Sequence, residues 1–422
     1  MKFRGLFRIS VVCLAAIALA GLSACTPKKP AYVCDAGVTA ASEPQHATPP
    51  APDPPLATQA AGEEAKVAVA EAQVLTPDGR VPLVTVEQTP SGPEITSTPV
   101  ANEAEAEAVA EAAAVDGDLV AVEPDSIVTV DAMDPNDPEF AANHQYALPT
   151  VGFVATWDPN FSGPQSGDGQ MVAVLDTGVD NTHEDLDDGR VQNGISIIGD
   201  SPTADQNGHG TFVAGIIAAE TDNMKAVAGA APAATILPVK VLDADGRGFT
   251  AEVAQGVIWA ANNGATIINL SLGGPTPSQA LQQAVEHAVF TRDVPVISSS
   301  GNTHKCGAPS YPGAFPEVLA VGATDSNNQW ASFSTTGPYV DIAAPGVGIV
   351  STLPVDTTAT RSGTSFSAPF AAAAAAIVRA THPGFDVNNV YLRLVTTATD
   401  LGPPGWDPHF GFGLLNVQAA AA

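Results

Sequence analysis

The apolar positions along the chain change rhythm twice. From Thr26 to about Gln59 they follow no period, and Pro, Ala and Thr dominate, with Pro49-Pro50 and Pro54-Pro55 among them. Such a stretch reads as an extended tether, because it offers no face to bury and its prolines stiffen it. Between Lys66 and Asp131 short alternating runs take over. Val81-Pro82-Leu83-Val84-Thr85-Val86 and Leu119-Val120-Ala121-Val122 predict strands, and the helix formers of Ala104–Glu111 lie between them. Two readings stay open for residues 66–133: a small α+β prosegment, or an acidic Ala-rich linker.

From about Pro135 the pattern becomes a regular alternation of the two periods. Met171-Val172-Ala173-Val174-Leu175 is an apolar run ending in Asp-Thr-Gly, as expected of a buried parallel strand with a functional residue at its carboxyl end. Predicted after it are a helix at Gly210–Ala219, a strand at Ile236–Leu242, a helix at Glu252–Asn262 and a strand at Thr266–Leu270. A helix at Gln279–Phe290, a strand at Val294–Ser298, an Ala-rich helix at Phe366–Arg379 and a short tail complete the list. This order predicts an α/β fold: a doubly wound, mostly parallel sheet with helices on both faces, over residues 134–422.

The amino terminus adds a location. Lys2, Arg4 and Arg8 precede an apolar run from Ile9 to Leu22, which has the form of a signal peptide and is shorter than the roughly 20 residues of a membrane-spanning helix. Leu22-Ser23-Ala24-Cys25 resembles the bacterial lipobox. The resemblance implies that residues 1–24 are removed, that Cys25 carries lipid, and that residues 25–65 tether an exported protein to a membrane. Thr26 after that cysteine, where Asp is absent, fits the outer membrane or cell surface by the same analogy; ordinary secretion is the alternative. Cys13 would leave with the signal, so only Cys34 and Cys306 remain to pair, and sequence does not bring their Cα atoms within bridging distance.

The formal net charge of -29 and pI near 4.3 leave no basic stripe to displace counterions, which excludes nucleic acid as a partner. The oligomeric state is not legible.

Three segments carry residue types that nucleophilic hydrolysis needs: Asp176-Thr177-Gly178, His209-Gly210-Thr211 and Gly363-Thr364-Ser365. Each is weak alone, but all three fall at strand ends or helix starts of one α/β region, in the order Asp, His, Ser. Together with Asn136–Phe140, Val239–Gly246, Ile268–Gly274, Ser300-Gly301-Asn302, Ala344-Pro345-Gly346 and Gly411-Phe412-Gly413 they resemble the subtilisin-like serine proteases, over roughly Pro135 to the end.

That resemblance implies an endopeptidase of broad specificity, acting on proteins or peptides through an acyl-enzyme. Asp176, His209 and Ser365 would be its triad, and Asn302 a donor to the oxyanion. Gly246 and Gly248, with Ser271, Leu272 and Gly273, would be the extended segments that pair with substrate backbone. The chemistry needs no cofactor. Asp185 matches a calcium ligand of the family and Asn223 is a candidate for another, although Met224-Lys225-Ala226 lacks the glycine usual in that loop. Phe366 and Ser367 stand where Met-Ala is more usual, and Phe212 where a second His is common; neither change removes a catalytic group.

The rival that keeps the fold is a catalytically silent, lipid-anchored surface or binding protein, which would be expected to have lost one of these residues. A serine-carboxyl peptidase would place Glu at His209. An α/β-hydrolase would order its triad Ser, Asp, His.

Overall fold

The computed structural model describes residues 80–89, 92–113, 119–124, 135–157, 163–304 and 309–422. The signal and tether, including Cys25, Cys34 and also Cys306, lie outside the described residues. The chain divides into two compact units, the smaller within Gly37–Asp131 and the larger containing everything from Ala132.

In the smaller unit β1 (Val81–Thr89) is the centre of a three-stranded antiparallel sheet, flanked by β2 (Gly92–Val100) and β3 (Leu119–Pro124). Its alternate residues Val81, Leu83 and Thr85 are buried. Val81 and Leu83 pack with Val100 and with Ala106 and Ala110 of α1 (Glu103–Ala113). Asn102 starts that helix: its Oδ1 accepts from the Glu105 N–H at 3.0 Å, while Glu105 Oε2 accepts from the Ala101 N–H at 2.8 Å. Two otherwise orphaned donors are thereby satisfied, as in a capping box. The stretch read as prosegment or linker thus has a sheet, a helix and a core, and β2 is a strand that the periodicity did not predict.

The larger unit opens with two single turns, α2 (Pro138–Ala141) and α3 (Ala147–Thr150), followed by β4 (Met171–Asp176) and β5 (Ile195–Ser196). Then come α4 (His209–Ala218), β6 (Thr235–Lys240), α5 (Thr250–Asn262), β7 (Ile267–Leu270), α6 (Gln279–Glu286) and β8 (Val296–Ser299). The chain ends through β9 (Leu319–Thr324), β10 (Val340–Pro345), the hairpin β11 (Ile349–Leu353) and β12 (Thr357–Arg361), and helices α7 (Thr364–Thr381), α8 (Val387–Thr396) and α9 (Val417–Ala421). Seven strands form one parallel sheet in the order β10-β9-β8-β7-β4-β6-β5.

The strand alternation of β4 shows why both faces are covered. Val172 and Val174 join a core containing α4 and α7, whereas Ala173 and Leu175 join a second core containing α5 and α6. The alanines Ala371–Ala376 of α7 are all fully buried, so the helix lies in the first core without bulky side chains holding it off.

After β4 the chain builds β5 and β6 on one side, then crosses to place β7 on the other. The crevice beyond the carboxyl ends of β4 and β7 is therefore the switch point where open α/β sheets bind ligands. Asp176 ends β4 and Ser271 follows β7. Among the described residues no helix is long and apolar enough to cross a membrane.

Candidate active site

Asp176 is fully buried, and its Oδ1 receives both the Thr177 N–H at 2.8 Å and His209 Nδ1 at 2.7 Å. Because the carboxylate can only accept, that ring nitrogen must carry the proton, leaving Nε2 as the free base. Burial opposes charging of the imidazole. The Asp176 carboxylate outweighs it, with a smaller contribution from Asp205, and raises the His209 pKa above its ordinary value; Arg361 pulls the other way.

Close approach of α4 to the Asp176 turn depends on Gly210, where a Cβ would stand 2.1 Å from the Gly178 carbonyl oxygen. Beneath the pair lies a residue that motif reading passed over. Asp205 accepts from Thr177 Oγ1 (2.8 Å), the N–H groups of Asn207 (3.2 Å), Gly208 (2.8 Å) and Thr211 (2.9 Å), and Thr211 Oγ1 (2.6 Å). It ties the start of α4 to the Asp-Thr-Gly turn. Its charge also suits a helix amino terminus. Lys240, fully buried at the end of β6, donates its ammonium to the carbonyls of Thr177 and, at 3.1 Å, Ala204. The signal for Asp205 was its place four residues before His209, but an Asp in a loop is too common to single out.

Ser365 stands in the first turn of α7, which begins at Thr364, two residues earlier than the sequence predicts. Its N–H is still one of the first helical donors, which have no partner within the helix. Pro369 has no N–H to offer the Ser365 carbonyl, four residues back. Ser271 Oγ supplies that hydrogen bond at 2.7 Å and is itself reached by Asn269 Nδ2 at 2.9 Å. The Ser271 hydroxyl therefore supports the turn that carries Ser365. Phe366, the next residue, packs its ring 5.5 Å from the His209 ring, centroid to centroid, and 4.6 Å from that of Phe212. These contacts bring the start of α7 to the imidazole.

Asn302 Oδ1 accepts from the Thr364 N–H at 2.9 Å and Thr364 Oγ1 at 3.0 Å. This fixes the amide's orientation, with Nδ2 on the side of Gly363, 3.5 Å from where a Cβ there would stand.

Gly246, Gly248, Ser271, Leu272 and Gly273 all line one groove of about 530 Å³, and His209 lies on its wall. Asp185 and Asn223, which do not line that groove, also meet: Asn223 Nδ2 donates to Asp185 Oδ1 at 3.1 Å, and the Val227 N–H to Oδ2 at 2.8 Å. Fully buried Asp137 joins them, with Oδ2 accepting from the Asp222 N–H at 2.9 Å and Oδ1 without a partner. Burial, with Asp185 nearby, pushes its pKa up to about 6. Among the described residues no group of three or more His, Cys, Asp or Glu is arranged as a metal cage.

A buried carboxylate–imidazole pair at the switch point of a parallel sheet, beside a helix start and an extended groove, defines a hydrolase of the serine-protease class. The subtilase family model matches residues 167–413, and this chain belongs to that family. It is 47% identical to subtilisin BL of Lederbergia lenta over 256 residues, 60% of this chain and 91% of that protein. Subtilisin E of Bacillus subtilis is 41% identical over 288 residues, 67% and 72% of the two chains. The solved structure of a protease from Pseudoalteromonas arctica superimposes with a TM-score of 0.60 at 29% identity, covering 68% of this chain and 98% of that one. The protein is a subtilisin-like serine protease.

Proposed function

We propose that Asp176, His209 and Ser365 are the catalytic triad of a broad-specificity endopeptidase, and that Asn302 and the Ser365 N–H hold the oxyanion. The 2.7 Å contact of His209 Nδ1 with buried Asp176 carries this reading, since it leaves Nε2 basic beside the start of α7. In the mechanism established for the family, His209 takes the proton of Ser365 as its Oγ attacks the peptide carbonyl. It then returns the proton to the leaving amine, and water repeats the sequence on the acyl-enzyme. Asp176 keeps the tautomer and stabilises the imidazolium. Substrate lies as an added strand between Gly246–Gly248 and Ser271–Gly273, whose main-chain groups grip backbone and so demand no single sequence.

A serine-reactive fluorophosphonate tests the reading. Ser365 should label rapidly, and His209→Ala should cut labelling and turnover together by about 10⁶-fold. Equal labelling of both proteins would instead favour the silent surface protein.

Residues 1–24 are read as a lipoprotein signal, 25–65 as the tether from lipidated Cys25, 66–133 as a prosegment and 134–422 as the catalytic domain. The sheet and core of the smaller unit favour a prosegment over a linker. Intact mass decides both points: a diacylated amino-terminal cysteine in the Ser365→Ala form, and loss of residues before about 134 only when Ser365 is present. An unmodified amino terminus with identical processing of both forms would point to plain secretion without self-cleavage.

A structural calcium ion is the third element. The partnerless buried oxygen of Asp137 beside Asp185 suits a hard cation, and Asn223 can turn its amide oxygen inward; these three residues would hold it. The ion would supply stability and no step of the chemistry. Against it stands the Lys225 ammonium, bound to the Glu184 carbonyl at 3.0 Å. A melting temperature that does not move between calcium and chelator would remove calcium from the description.

A further inference from the structure

Arg361 is a charged group close to the base to which the catalytic reading gives no role. It ends β12, four residues before Ser365, and is half-buried. Its guanidinium carbon lies 5.4 Å from the centroid of the Phe212 ring. Phe212 in turn packs on Phe366, and Phe366 on His209, so the cation is the outer member of a stack that ends at the base. Among the described residues no carboxylate pairs with it, in a chain whose acidic residues outnumber Lys and Arg by 45 to 16. A guanidinium lying over an aromatic ring retains N–H groups that can bind a carboxylate in two-pronged fashion.

The side of the crevice follows from the groove. His209 lies on the groove wall with Gly246–Gly248 and Ser271–Gly273, and the groove residues Leu242, Val253 and Leu281 belong to the core of α5 and α6, whereas Phe212, the ring that Arg361 lies over, and Phe366 belong to the core of α4 and α7 on the other face of the sheet. The base must serve the departing amine as well as the nucleophile, so the amine side of the substrate lies beyond His209 from the acyl groove. Arg361 borders that side.

We propose that Arg361 is a specificity-determining residue that selects substrates with an acidic side chain, Asp or Glu, within the first two residues after the cleaved bond. The inference rests on the triad assignment above. It gives an otherwise sequence-tolerant site one point of charge selection on the leaving segment.

The test uses the full chain and three amide-capped fluorogenic peptides that differ only in carrying Glu, Gln or Lys at both of the first two residues after the cut. At low salt the unmodified enzyme should favour Glu over Gln by roughly 3- to 10-fold in kcat/KM, the span from an exposed to a half-buried ion pair. The ratio should shrink as salt rises. In Arg361→Gln it should fall to about 1, Arg361→Lys should keep part of it, and Arg361→Glu should turn the preference toward Lys. Equal cleavage of Glu and Gln peptides by the unmodified enzyme overturns the inference but spares the protease reading. So does a preference that survives Arg361→Gln. Cleavage of none of the three, with no labelling of Ser365, overturns both.

Discussion

The two sides of the crevice are built on opposite plans. On the Asp176–His209 side the polar groups are densely cross-linked, Asp176 Oδ2 excepted: Asp205 alone accepts five hydrogen bonds, Gly210 packs within contact of the Asp-Thr-Gly turn, and Lys240 lies buried below. On the groove side, Gly246, Arg247 and Gly248 are exposed, in a loop held to itself through Asp243, which accepts from the Gly246 and Arg247 N–H groups and donates to the Arg247 carbonyl. The difference follows from what each side does. Charge that develops in the transition state is stabilised by dipoles and donors already in place, so that side must not reorganise. A substrate strand brings its own backbone donors and acceptors, so the other side has to remain open to receive them.

If that contrast is right, changes on the wired side should appear in kcat and changes in the groove in KM. Outside the proposed triad itself, the largest effect is expected at Asn302. Asn302→Ala should lower kcat by about 10²- to 10³-fold, the size known for this donor in the family, with little change in KM. Steady-state kinetics on one peptide checks it. A variant whose KM rises while kcat holds would move Asn302 from the wired side to the binding side.

Next comes Asp205, which touches no substrate and acts through the placement of α4. Asp205→Ala should cost about 10²-fold in kcat/KM through misplacement of the imidazole. It should also lower the melting temperature, because several buried donors lose their acceptor. A pH profile separates placement from plain loss of fold. In the proposed triad His209 works as the neutral base, and its pKa is raised chiefly by Asp176 against the opposing effect of burial. Activity in the unmodified enzyme should therefore fall as pH drops through a value above the ordinary histidine pKa. The charged groups acting on His209 are Asp176, Asp205 and Arg361, so removing Asp205 should move the acid limb to lower pH. A limb that stays put would leave Asp205 a purely structural support.

The same contrast explains what the sequence could tell. The triad candidates, Asn302 and the groove glycines could be named because their short segments, each weak alone, together and in order resemble the subtilisin-like serine proteases. Strands β4, β6 and β7 were legible as apolar runs. Strands β9 and β10 were not, since Leu319-Ala320-Val321-Gly322-Ala323-Thr324 and Val340–Pro345 are rich in small residues and owe their conformation to neighbours in the sheet. The α7 boundary was read two residues late because Gly363, not an N-cap side chain, opens the helix. Asp205 and Asp137 were invisible for another reason. Their roles rest on donors brought in from distant segments, such as Thr177 to Asp205 and Asp222 to Asp137, and no local pattern announces such a convergence.

The finest test of the comparison is a single methyl group in the groove. Gly246 has φ +73°, and a Cβ there would meet nothing nearer than Asn207 Nδ2 at 3.5 Å, so alanine fits in space and is opposed only by backbone conformation. That opposition is about 1 to 2 kcal/mol for an L-residue held left-handed. The loop can relieve it by rotating, which takes its main chain out of register with a bound strand. Gly246→Ala should therefore raise KM by roughly 5-fold, a little under 1 kcal/mol on the same scale, while kcat and the labelling rate of Ser365 stay as they were. A fall in kcat at unchanged KM would mean that the exposed glycines are coupled to the base, and that the crevice has one plan rather than two.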